Sequence, residues 1–403
     1  MLSFSSLKTQ HYVIIFGVLV AATYFSTKIK SAIGVETPEE DEYALIRKYL
    51  LTESPLYGYK RPKLWIHTAY EVNARKWRSF YSRNTTDLNE PFIHLTVGSI
   101  VNHCADDFNV CLIDDNSFER LIPNWKINVA SLPEPFKERY RHIALMKILY
   151  FYGGILCPNT FLCLKNLRGL YDEHFSEKKG GGSGGDGDGA ATPPPPFIFE
   201  APNRSVCNNN GSRKTFVPSS YFMGCKKNCP VIKEILDKYA IDGYSLDNSL
   251  EAAGARRRVG EVAFSPEGDK TNMDFIDYIR IGKHYTGEDT FLGKCAEYLA
   301  EYTDNGKMRL LGGDLIGIKT KNGKAVAIED LMGESFIGFS NNLLGIYIPN
   351  DEILRRIKYQ WFATISVEEL LAKSNSIIVK FFKASMVDYS THNKTTNKTV
   401  VSI

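Results

Sequence analysis

Two adjacent carboxylates, Asp114 and Asp115, close an apolar run at residues 108–113 (FNVCLI). Acids at the end of a strand can bind ribose hydroxyls, hold a divalent cation, or cap a helix by accepting its first N–H groups. The stretch DNSFERL at residues 115–121 suits the last use, so donor binding and capping both stay open for the pair. His67 ends a β-rich run at residues 63–67 and could meet a nucleotide or serve as a hydrogen-bonded structural imidazole. Arg141 and Lys147 could neutralise a diphosphate without a metal ion, although Lys147 stands among apolar neighbours. Asp247, Glu288 and Asp289 could take a proton from an acceptor hydroxyl; Glu288-Asp289 also suit the cap of a following helix. A literal D-x-D, Asp186-Gly187-Asp188, lies in a Gly tract that offers nothing to orient the acids, and it reads as solvated linker. Cys225 and Cys229 have the spacing of half a metal site, but no second pair accompanies them. The basic triplet at residues 256–258 reads as a solvated loop or a phosphate contact.

Such groups act only if secondary structure brings them together. Strand signals occur at residues 63–67, 108–113, 155–157, 161–164, 197–200 and 308–311, with a further extended segment at 216–225. Helical patterns fall at 92–103, 134–152, 230–239 and 289–302, and Gly153-Gly154 supplies the stop for the second of these. Ser366 and Glu369 form a capping-box pattern for a helix over 367–373. Strands alternating with helices predict an α/β unit with a largely parallel sheet. Residues 178–196 interrupt it: seven of the ten residues 180–189 are Gly, and four Pro follow at 193–196. This is a linker inserted within the fold, dividing it into halves at 61–177 and 197–375.

The chain ends differ from this body. Residues 12–27 carry no charge and are flanked by Lys8, Lys28 and Lys30. As a helix they would span about 24 Å, short of a ~30 Å hydrocarbon core, a deficit that snorkelling lysines offset. Bulky Tyr24 and Phe25 disfavour a cleavage site, so the segment is expected to be a membrane anchor between a short N-terminal segment (1–11) and a stem (28–60). Residues 376–403 read as a polar tail. The Lys distribution favours a cytoplasmic body, while sequons at Asn84, Asn203, Asn210, Asn393 and Asn397 matter only for a luminal one, so the side stays open. Cys111, Cys157 and Cys163, three of eight cysteines, sit in apolar runs where a free buried thiol is the usual state. A net charge of +3 from 49 basic and 46 acidic residues excludes a dedicated nucleic-acid binder. Shares of 43% hydrophobic and 24% charged residues exclude wholesale disorder.

Residues 140–167 (YRHIALMKILYFYGGILCPNTFLCLKNL), with 91–121 upstream and 215–236 downstream, resemble the capsular-polysaccharide-synthesis and Och1-like group of D-x-D glycosyltransferases. The resemblance covers about residues 63–239. It implies a Rossmann-like A-type glycosyltransferase fold, to which residues 12–27 are expected to add an N-terminal transmembrane helix. A nucleotide-sugar donor would lie at the carboxyl ends of the strands, near Asp114, Asp115, His67 and Asn159, with a glycan as acceptor. The departures from the family pattern are specific. His142 and Leu145 stand where the family helix carries Asp and Arg, and Cys157-Pro158-Asn159 replaces the acids after Y-G-G. Without those carboxylates, Mn²⁺ or Mg²⁺ is not expected at the usual position, and Asn159 marks a vestigial metal site. Two functions are therefore implied. One is a membrane-anchored, metal-independent glycosyltransferase; the other is a non-catalytic glycosyltransferase-fold scaffold, with a virion or membrane-assembly role suggested by viral members of such families.

Overall fold

The computed structural model describes residues 38–51, 60–68, 90–129, 132, 136–175, 194–202, 216–239, 291–373 and 375–392. The expected anchor segment 12–27, Asp186, Asp188, Asp247, the triplet 256–258, Glu288 and Asp289 lie outside the described residues. Among the described residues no helix is long and apolar enough to cross a membrane. The chain forms two units, residues 1–48 with 53–60, and residues 49–52 with 61–403. The first contains helix α1 (Pro38–Ile46).

The second unit is α/β. In chain order it contains β1 (Lys63–His67), α2 (Phe92–Cys104), β2 (Asn109–Ile113), a 3₁₀ turn (Asp115–Ser117) leading into α3 (Phe118–Leu121), α4 (Phe136–Tyr152), β3 (Gly154–Pro158), β4 (Phe161–Cys163) and α5 (Arg168–Phe175). There follow β5 (Phe197–Pro202), β6 (Phe216–Cys225), α6 (230–239), α7 (Phe291–Asp304), β7 (Arg309–Leu311), α8 (Ile328–Met332) and β8 (Gly345–Tyr347). Helices α9 (Asn350–Arg355), α10 (Gln360–Thr364), α11 (Val367–Lys373) and α12 (Ile377–His392) complete it.

Six strands form one mixed sheet in the order β2-β1-β3-β6-β5-β7. Strands β1, β2 and β3 are short apolar runs with buried centres, as expected of strands covered on both faces. They are parallel to one another, while β6 runs antiparallel to both β3 and β5. The sheet is thus less parallel than its sequence predicts. Consecutive β5 and β6 pair directly, and antiparallel neighbours need no crossover helix. Because β7 is parallel to β5, the carboxyl ends of β1, β2, β3, β5 and β7 all lie along one edge.

Two further departures from the sequence reading concern the flanks. Part of the stem belongs to the α/β unit: the Leu51 N–H donates to the Val110 carbonyl at 2.9 Å, extending the ladder beyond β2. The polar tail starts later than expected, since residues 377–392 form α12. Ile377, Ile378, Val379 and Phe382 are buried there with Phe92, Phe362 and Leu370 in a second core. Lys, Ser, Asp and Thr are interspersed among the apolar residues of that helix, which is why composition alone reads it as a tail.

The turn from α4 into β3 explains Y-G-G physically. The Gly153 N–H donates to the Leu149 carbonyl at 2.8 Å with φ +65°, the left-handed cap that ends many helices. Gly154 follows at φ +104°, and a Cβ there would lie 2.2 Å from the Lys63 carbonyl oxygen. The buried Trp65 indole donates to the Gly153 carbonyl at 2.9 Å, fixing the same turn from β1.

Candidate functional site

The carboxyl edge of β1 and β2 carries a three-residue ionic cluster. His67 ends β1, Asp115 opens the turn after β2, and Arg141 projects from the first half of α4. His67 Nε2 lies 3.0 Å from Asp115 Oδ1. Arg141 grips the same carboxylate through two nitrogens, Nε to Oδ1 at 2.8 Å and Nη2 to Oδ2 at 2.7 Å. The His67 and Arg141 side chains are 14% exposed and that of Asp115 10%, so the cluster is largely sheltered but reaches the surface. Burial alone would push the Asp115 carboxyl up. The hydrogen bonds and charges of His67 and Arg141 outweigh it and hold the group well below the usual carboxylate range. The His67 ring stacks on Phe118, with centroids 5.5 Å apart and planes at 11°, which fixes its orientation.

Asp114 has a different task. Its carboxylate accepts from the Ser117 backbone N–H at 2.9 Å, and the Ser117 hydroxyl accepts from the Asp114 N–H at 3.0 Å. This reciprocal capping box shapes the turn that presents Asp115. Of the two readings left open for the acid pair, Asp114 takes the capping one, while Asp115 pairs with His67 and Arg141.

Asn159 follows Pro158, whose strand partner is His67, so Asn159 lies beside the cluster. Its carbonyl accepts from the Thr96 hydroxyl, anchoring the β3–β4 turn to α2. The residues present do not suit a divalent ion. Pro158 has no ligand atom, Asn159 offers a neutral oxygen, and Asp115 is already committed to Arg141 and His67. Among the described residues no three His, Cys, Asp or Glu side chains are grouped as metal ligands. Cys225 and Cys229 are buried free thiols, with burial raising both, in keeping with core packing. Cys111, Cys157 and Cys163 are likewise free and buried.

The other α4 residues point elsewhere. Lys147 stands six residues after Arg141, about 9 Å along the helix away from the carboxyl edge, and its ammonium sits 5.3 Å from the Trp125 ring centroid. His142 is fully buried, with Nε2 3.3 Å from the Tyr239 hydroxyl. Burial pulls its pKa down to about 4, against 6.5 for an exposed imidazole. The sign of the pH effect follows. Folding holds His142 neutral while the unfolded chain protonates near 6.5, so its contribution is complete above that pH and fades towards 4. About 2 kcal/mol is expected to be lost between pH 6.5 and 5. Urea denaturation at pH 7 and pH 5 checks this. His142→Phe, set between Tyr221 and Tyr239, should show a smaller loss, and an unchanged one would refute the assignment.

Sequence reasoning weighed Arg141 only as a diphosphate contact and missed its pairing with Asp115. It also missed a second polar group on the same edge. The Glu200 carboxylate accepts from the Gly313 N–H at 2.7 Å and pairs with Lys319, whose ammonium lies 4.1 Å from the Phe216 ring centroid. The signal was available: Glu200 is the one acid in the run FIFEAP of β5. Three strand spacings, about 14 Å, separate β5 from β1. Comparison of the chain with protein-family models, curated proteins and solved structures finds no match.

Proposed function

We propose that this chain is a membrane-anchored protein of the glycosyltransferase type, with the A-type fold, that binds a nucleotide sugar without a metal ion. The observation that carries this reading is the His67–Asp115–Arg141 cluster at the carboxyl ends of adjacent parallel strands. Ligands of open α/β sheets bind at that edge. The cluster joins hydrogen-bonding groups for a ribose or base with a guanidinium suited to phosphate, and the acids a metal would require are missing. The resemblance around Y-G-G supplies the donor class, and residues 12–27 supply the tether. A glycan is the expected acceptor.

A second reading is a non-catalytic scaffold of the same fold. It is favoured by one specific observation: both carboxylates after β2 already serve partners within the chain, Asp114 the turn and Asp115 the ion pair.

Thermal denaturation of the full chain in detergent, against millimolar UDP-, GDP- and CMP-sugars, tests the first reading. A donor at ten times its Kd stabilises by about 1.4 kcal/mol, a rise of a few degrees. The rise is expected to survive EDTA. No shift with any donor would remove the nucleotide-sugar reading; a shift that requires Mn²⁺ would remove its metal independence.

A further inference from the structure

We infer that His67 is a catalytic residue, accepting the proton of the acceptor hydroxyl through Nδ1, with Asp115 and Arg141 acting as positioning residues. The inference rests on the donor-binding reading above and assigns its chemistry.

Orientation is the first support. Asp115 faces His67 with Oδ1, 3.0 Å from Nε2. An ionised carboxylate only accepts hydrogen bonds, so the ring hydrogen stays on Nε2 and a neutral imidazole carries its lone pair on Nδ1. The ring cannot easily turn to exchange the two nitrogens, because Phe118 stacks against its face. Arg141 holds both oxygens of Asp115, which fixes the carboxylate that fixes the ring. Such a base held by a third group is the arrangement that activates hydroxyls in acyl transfer, reached here on a different scaffold.

Among the described residues, the charged groups facing His67 are Asp115 from the turn after β2 and Arg141 from α4. The other neighbours are uncharged: Phe118 of α3, Ile113 opposite on β2 and Pro158 opposite on β3. Asp115 and Arg141 cancel, so the neutral cluster has no net charge. It becomes cationic when His67 takes the proton.

That timing suits a reaction without a metal. The acceptor O–H gives its proton to Nδ1 as the oxygen electron pair attacks the anomeric carbon. The bond from that carbon to the diphosphate oxygen breaks, and its electron pair leaves with the nucleoside diphosphate. One glycosidic bond forms, one glycosyl–phosphate bond breaks, and the imidazolium appears as negative charge builds on the leaving group. Direct displacement of this kind inverts the anomeric centre.

Two measurements on the full chain in detergent test the inference. Histidine-ring ¹⁵N spectra, with the His67 signal identified by its loss in His67→Gln, are expected to show Nε2–H and an unprotonated Nδ1 at pH 8. In Asp115→Asn that preference should be lost. A wild-type ring bearing its hydrogen on Nδ1 would overturn the inference and leave the donor-binding reading intact. The second measurement is release of the nucleotide leaving group (UDP, GDP or CMP) from whichever of the UDP-, GDP- and CMP-sugars raises the melting temperature. His67→Gln should lower kcat about 100-fold or more with KM little changed. Asp115→Asn should lower kcat with KM little changed, a split that a merely structural role would not produce. A bound donor that wild type does not turn over, or that His67→Gln turns over at the wild-type rate, would overturn the assignment alone. No binding by any donor would overturn both readings.

Discussion

Gly154→Ala is expected to cost about 4 kcal/mol or to prevent folding. The backbone at φ +104° already strains a residue with a side chain, by about 1–3 kcal/mol. The added methyl must also displace the Lys63 backbone, whose carbonyl oxygen would lie only 2.2 Å away. That oxygen belongs to a neighbouring strand in the sheet and cannot swing aside as a flexible side chain would, so overpacking adds a similar amount. Gly98→Ala is the matched control, since nothing lies within 4 Å of the added carbon in α2. It should be neutral or stabilising by up to about 1 kcal/mol. Urea denaturation of the two variants reads the contrast. A Gly154→Ala chain within about 1 kcal/mol of wild type would mean that the turn relaxes far more easily than its geometry requires.

The second large effect is expected at Arg141. Arg141→Met keeps the bulk and removes the charge, leaving Asp115 sheltered and without its bidentate partner. Breaking a buried pair from one side costs about 3–5 kcal/mol, and the residual exposure of this one argues for about 3. Asp115→Asn added to Arg141→Met should recover part of the loss, because the stranded charge is then gone. The pH dependence has a definite sign. Asp115 titrates lower in the folded chain than in the unfolded one, so its stabilisation is present above the unfolded value, about 3.9, and is lost as pH falls through the folded one. The penalty of Arg141→Met is therefore largest near neutrality and shrinks below about pH 4. A penalty independent of pH would mean that the cost is lost packing rather than an unpaired carboxylate.

Local signals were legible where one short stretch decides the outcome. The run at 63–67 became β1 with the same bounds, and Gly153-Gly154 ended α4 because cap and strand entry both demand positive φ. Asp114 as a turn acid could be read from Asp-Asn-Ser three residues before α3. Pairings distant in sequence were not legible. Arg141 meets Asp115 across 26 residues, and periodicity says nothing of which cation will find which acid. Glu200 and Lys319 are 119 residues apart, and each looks like an ordinary surface charge until β5 and the loop after β7 are set side by side. The direction of β6 was hidden for a related reason, since an apolar run does not reveal which neighbour it pairs with. α12 was missed because Lys, Ser, Asp and Thr dilute an apolar face that becomes evident only once a second core exists to receive it.

β4 and β8 pair antiparallel in a separate two-stranded sheet, and this has a consequence for how the chain is made. Phe161, Leu162 and Cys163 of β4 are fully buried, and Leu162 pairs with Ile346 of β8, about 180 residues later. At common rates of synthesis, roughly 10–40 s separate the emergence of the two partners from the ribosome. Throughout that interval a three-residue apolar strand edge has no mate, and such an edge is a template for pairing with other chains. The nascent protein therefore depends on a shield for β4, a chaperone or its own earlier segments, until Gly345–Tyr347 arrives. A chain terminated before that point keeps the edge open and should be captured by chaperones or aggregate, even though every residue of the His67–Asp115–Arg141 cluster has already been made.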